Sequence, residues 1–108
     1  MAIVNLSKRS TGVGYEYSEV IADGVDGDIV LIYPVRNISD RVTCTIVSAG
    51  NTGKVQFTTT PIADLASANW QDWPNGNVVI TTSDALLGPV TAIRGVSVSG
   101  EVTLEVVV

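Results

Sequence analysis

The chain has no histidine, one cysteine, one methionine and one phenylalanine, and only six of its 108 residues are basic. Without histidine there is no imidazole base, no Ser–His–Asp triad and no zinc site of the histidine type. The single cysteine, Cys44, cannot close an internal disulfide, and it lacks the histidine that would activate it as a nucleophile. It stands in Arg41-Val42-Thr43-Cys44-Thr45-Ile46-Val47, where Val42, Cys44 and Ile46 alternate with threonines, and is read as a small buried hydrophobe. The basic residues are scattered, only Lys8-Arg9 being a pair, and the net charge is −5. Nucleic-acid binding rests on clustered Lys and Arg and is not expected. The longest apolar run covers 29–35, well below the roughly 20 residues of a membrane span, so no membrane partner is expected either. In MAIVNLSKRS the charges follow a very short apolar stretch, unlike a secretory signal, and the mature chain is expected to start at or near Met1.

Carboxylates gather only in Asp23-Gly24-Val25-Asp26-Gly27-Asp28. A calcium loop places oxygens on alternate residues and closes with a bidentate acid; here no closing Glu follows, and Ile29 begins a strand instead. Asp and Gly as turn formers are the better reading, and no metal or cofactor is expected. Gly12-Val13-Gly14 and Gly88-Pro89-Val90 precede neither a helix nor a GK[ST] element, so neither reads as a phosphate loop. Acid–base work by two carboxylates stays open from sequence alone, but a chain with so little pocket-forming material is not expected to be an enzyme.

What is present is valine, isoleucine and threonine, in a composition 45% hydrophobic and 16% charged. That composition excludes disorder, and the length suits one domain that buries roughly 60–70% of its unfolded surface. Strands are expected at 15–22, 28–35, 41–48, 53–60, 77–82, 90–98 and 101–108, giving an all-β single sandwich of jelly-roll or immunoglobulin-like type. Hairpin turns are expected at Ala49-Gly50-Asn51-Thr52-Gly53 and Ser99-Gly100. Gly95 is the expected bulge, allowing Ile93 and Val96 to share a face. Thr60-Pro61-Ile62-Ala63-Asp64 can start one or two helical turns in a crossover loop, with Thr60 as cap.

Two segments point outward from the domain. Residues 1–14 read as an arm that orders on a partner, with an added edge strand from Ile3-Val4-Asn5-Leu6 or a frayed end as alternatives, leaving 15–108 as the sandwich. Residues 28–35 are apolar on both faces, so a second layer or a neighbouring subunit must cover them. Both tryptophans lie in Asn69-Trp70-Gln71-Asp72-Trp73-Pro74-Asn75-Gly76-Asn77. They can stack sugars, join an assembly interface, or seal the end of the sandwich; we expect Trp73 to be the more buried.

The carboxyl half carries a resemblance. Val55-Gln56-Phe57-Thr58-Thr59-Thr60-Pro61-Ile62-Ala63-Asp64, then Ala68-Asn69-Trp70-Gln71-Asp72-Trp73, Leu87-Gly88-Pro89-Val90-Thr91-Ala92-Ile93-Arg94 and Ser99-Gly100-Glu101-Val102-Thr103-Leu104-Glu105-Val106 resemble small β-sandwich virion proteins of tailed bacteriophages. The resemblance implies a capsid cement or decoration protein, made in the host cytoplasm and bound on the outer surface of the head. Its partners would be the major capsid protein and itself, as a homotrimer. A head–tail connector or tail-fibre accessory protein is the nearest alternative, and a carbohydrate-binding module using Trp70 and Trp73 the next. The expected assembly interface comprises Ile3, Leu6, Lys8 and Arg9 of the arm, Val30 and Ile32 of the doubly apolar strand, Trp70, and Arg94, which is either paired internally or projects to a capsid carboxylate.

Overall fold

A computed structural model of the protein describes residues 2–8, 14–32, 41–87 and 90–108. The strands are β1 (Ile3–Asn5), β2 (Ser7–Lys8), β3 (Tyr15–Ile21), β4 (Ile29–Leu31), β5 (Arg41–Val47), β6 (Thr52–Thr58), β7 (Gln71–Asp72), β8 (Thr82–Leu87), β9 (Ala92–Ser99) and β10 (Val102–Val107). One 3-10 helix, Ile62–Ser67, lies between β6 and β7. Two five-stranded sheets result, ordered β1-β4-β9-β6-β7 and β2-β3-β10-β5-β8, named here for their central strands β9 and β10. The protein is an all-β sandwich. Antiparallel pairing joins β3 to β10, β4 to β9, β5 to β8 and β6 to β7. From β3 onward the chain is therefore one long hairpin wrapped over itself, its tip at the β6–β7 crossover, which is jelly-roll topology.

Alternation builds the core. Val42, Cys44 and Ile46 of β5, Val102, Leu104 and Val106 of β10, and Val30, Val55 and Ile93 of the other sheet are buried between the layers. The two sheets approach closely at Gly95, where an added Cβ would lie 2.5 Å from Ile21 Cδ1 and 3.1 Å from Leu104 Cβ. Gly95 keeps the register, opposite Val55, and is not the bulge expected there; the register shift falls between Thr52 and Gly53, which face Ser99 and Ser97. Ile93 and Val96 accordingly take opposite faces, as strict alternation requires.

Several expectations need correction. Neither Gly-rich turn makes a hairpin: β5 to β6 and β9 to β10 both change sheet. A tight reversal with positive φ, as at Gly50 (87°) and Gly100 (79°), serves an arch between layers as well as a hairpin within one. The strand expected at 77–82 lies instead at Thr82–Leu87. Of the β-prone Val78, Val79 and Ile80, only Val78 is buried, bridging to Gly53, while the other two are exposed. Thr82, Asp84 and Leu86 stand opposite Ile46, Cys44 and Val42 and so take the inner face, where two polar residues mask the pattern. The helical turns occur, but Thr60 is not the cap; its Oγ1 accepts from the Asn69 N–H at 3.1 Å and ties the two ends of the crossover.

The amino-terminal arm is an edge for residues 2–8. β1 pairs in parallel with β4, β2 pairs with β3, and Val4 and Leu6 pack on the core, so the segment passes from the edge of one sheet to the edge of the other. Residues 9–13 lie outside the described residues. In 28–32 the double apolarity is satisfied within the protomer. Val30 and Ile32 enter the main core, while Ile29 and Leu31 lie on the outer face under Leu65, Ala68 and Trp70 of the crossover. No neighbouring subunit is needed to cover them.

Candidate interaction surfaces

Part of the outer face of the β9 sheet, over β4 and the start of β9, is covered by the chain itself, while Ile3 and Val98 of the same sheet stay exposed. The crossover lays Leu65 onto Ile29 and Ala92, and Trp70 follows it. Beside this small second core runs a polar chain. Lys54 pairs with Asp72 at 3.1 Å, and Gln56 donates to Asp72 at 2.9 Å and accepts from Arg94 Nε at 2.8 Å. The Arg94 guanidinium then meets Asp26 at 3.5 Å and lies 4.4 Å from the centre of the Trp70 ring. The Gln56 hydrogen bond, aided by Lys54, holds the Asp72 carboxyl below its ordinary value against slight desolvation.

The outer face of the β10 sheet is different: no described element crosses it. Three rows follow from the register. Thr103 lies between Val20 and Val47, Glu105 between Ser18 and Thr45, and Val107 between Glu16 and Thr43. β8 extends the rows with Ser83 beside Thr45 and Ala85 beside Thr43. Thr45 Oγ1 and Ser83 Oγ share a hydrogen bond of 2.6 Å. Val20 is 62% exposed here. Short and β-branched side chains have little rotamer freedom to lose, so burying such a face against a partner is entropically inexpensive compared with one of Lys and Arg.

The expected interface residues do not form one patch. Val30 and Ile32 are buried in the sandwich and present no surface. Ile3 is exposed on edge strand β1, and Leu6 is half-buried against the core. Lys8 is placed by its backbone in β2, its side chain lying outside the described residues, as does Arg9. Trp70 and Arg94 do meet, but they engage each other and their neighbours in the chain. Trp73 is the more buried tryptophan, 2% exposed, and its indole Nε1 donates to Gly76 O at 2.7 Å. The pair is therefore not a stacking platform.

The acidic residues of the 23–28 turn point to separate partners. Asp23 accepts from Gly100 N–H, Asp26 pairs with Arg94, and Asp28 accepts from Ala2 N–H. Among the described residues no three His, Cys, Asp or Glu gather as metal ligands. Sequence reasoning did not single out the Thr/Ser/Val face as a candidate surface. The alternation of Thr43 and Thr45 with Val42 and Ile46 placed those residues outward, but nothing local says that one outer face is roofed and the other open. Comparison with protein-family models, curated proteins and solved structures finds no match for the chain.

Proposed function

We propose that the protein is a structural component of a tailed-bacteriophage virion, a cement or decoration protein that docks on the major capsid protein lattice at the outer surface of the head. The observation that carries this reading is the exposed outer face of the β10 sheet, set against the partly covered face of the other sheet. Jelly rolls recur among viral capsid and lectin domains, which is an analogy of fold and adds support of that kind only. Trimerisation would let modest contacts at each protomer sum to firm attachment. Heads made without the protein should gain resistance to heating and osmotic shock when it is added back. Absence of both binding and stabilisation would sink the proposal. Placement at the connector or tail is separated by electron microscopy of virions carrying a tagged copy.

A carbohydrate-binding reading has one observation in its favour: the Trp70 ring is half-exposed on the outer face of the β9 sheet. Arg94, however, already lies over that ring. A saturable change of tryptophan fluorescence on titration with polysaccharides would favour this second reading.

A further inference from the structure

Phe57 of β6, Pro74 of the turn after β7, Asp84, Ala85 and Leu86 of β8, and Val90 line a cleft of about 380 Å3. This is within the size range of small-ligand sites. The cleft opens between the sheets on the side where their edge strands β7 and β8 lie. Among the described residues its only charged wall is Asp84. That carboxylate accepts from Asn75 Nδ2 at 2.8 Å and from the Ala85 N–H at 2.7 Å, one bond on each oxygen. Both donors are neutral. Among the described residues no lysine or arginine pairs with Asp84. Together with burial, which is the larger cause, its charge pushes the Cys44 thiol opposite it up to about 12.

A carboxylate at an apolar cleft, with no cationic partner among the described residues, calls for a cation on an apolar stem. Two of its roughly four acceptor sites are filled, one per oxygen; a point-like ammonium needs only one of the remaining sites, whereas a guanidinium fork needs both. The net charge of −5 favours basic partners in general. We propose that this cleft receives a lysine side chain of a partner protein, its methylenes against Phe57, Pro74 and Leu86 and its ammonium on Asp84. The inference deepens the docking reading and depends on it only for who supplies the lysine. A purely structural role is the competing account, since an inward-pointing acid also discourages an edge strand from pairing with other chains.

The test titrates the whole protein with n-butylammonium and, as the neutral control, n-butanol, following the amide resonances of Asp84, Ala85 and Leu86. Saturable shifts are expected with the amine, with the alcohol weaker by about tenfold, the factor one charge-assisted hydrogen bond supports. Asp84→Asn should reduce the amine to the level of the alcohol. Asn75→Lys, at an exposed turn, should block the site with the chain's own cation; it decides the matter if Asp84→Asn fails to fold. No saturable shift, equal binding of the alcohol, or unaltered binding by the folded variants would overturn the proposal. Failure here with head binding intact removes the lysine site alone, and amine binding without head binding removes the capsid reading alone.

Discussion

At position 95 the inward-facing side chain is a hydrogen atom, and the space it leaves is filled by Ile21 and Leu104 from the opposite sheet. Gly95→Ala should therefore cost about 1–3 kcal/mol through overpacking, read as a lower midpoint in urea or thermal unfolding. The two tryptophans should separate just as clearly. Trp73→Ala removes a core side chain and its bond to Gly76 O, and is expected to cost about 3–5 kcal/mol. Trp70→Ala removes a half-exposed ring and a cation–π contact worth about 0.5–1 kcal/mol, so a much smaller loss is expected. Cys44 supplies a pH test. Burial and Asp84 raise its thiol to about 12, so the folded state holds this proton more tightly than the unfolded chain does. Its contribution is fully present at neutral pH and is lost as pH climbs from the ordinary thiol range toward about 12. Native protein should resist iodoacetamide near neutral pH and react once denatured; rapid native labelling would contradict the burial. Tyr17 shifts in the same direction, through burial and the neighbouring Glu19, so the alkaline loss belonging to Cys44 is isolated by comparison with Cys44→Val. Trp73 is the more buried tryptophan, as expected. Whether Arg94 is paired internally was left open, because its partners Asp26, Gln56 and Trp70 come from three separate segments.

At the scale of elements, period-two alternation located β3, β5, β6, β9 and β10 to within a few residues. It failed where the inner face carries polar groups, as at Thr82 and Asp84 of β8. It also failed where pairing rather than composition makes the strand, as in the short β2 and β7, whereas β1 falls on the edge strand that was one alternative for Ile3-Val4-Asn5-Leu6. Which layer a turn leads to was not legible either, since the same glycine conformations at Gly50 and Gly100 serve both outcomes. The edge strands give a direct prediction. Deleting residues 1–8 removes the Ile29 N–H to Ala2 O bond of 2.8 Å, exposes the edge of β4 and uncovers core packed by Val4 and Leu6. The truncated chain should melt at lower temperature and aggregate more readily, because the newly exposed edge can pair with other chains. An unchanged melting curve would mean that these strands do not close the sandwich in solution.

For the molecule as a whole, the two outer faces divide the labour. The crossover at the tip of the long hairpin covers part of one with Leu65 and Trp70, and the other presents an exposed grid of threonine, serine and valine with Glu105 and Glu16. The doubly apolar segment 28–35 calls from sequence for cover by a second layer or a neighbouring subunit. Over its described part, 28–32, the second sheet and the crossover supply it, residues 33–35 lying outside the described residues, and the candidate docking surface moves to the opposite sheet. The most direct test is cosedimentation of the purified protein with heads produced without it. Three versions are compared: the unmodified chain, Thr45→Arg in the middle of the open face, and Ile62→Arg on the exposed side of the crossover. The account predicts saturable binding by the unmodified chain and by Ile62→Arg, and its loss in Thr45→Arg. No binding by the unmodified chain, or undiminished binding by Thr45→Arg, would contradict it.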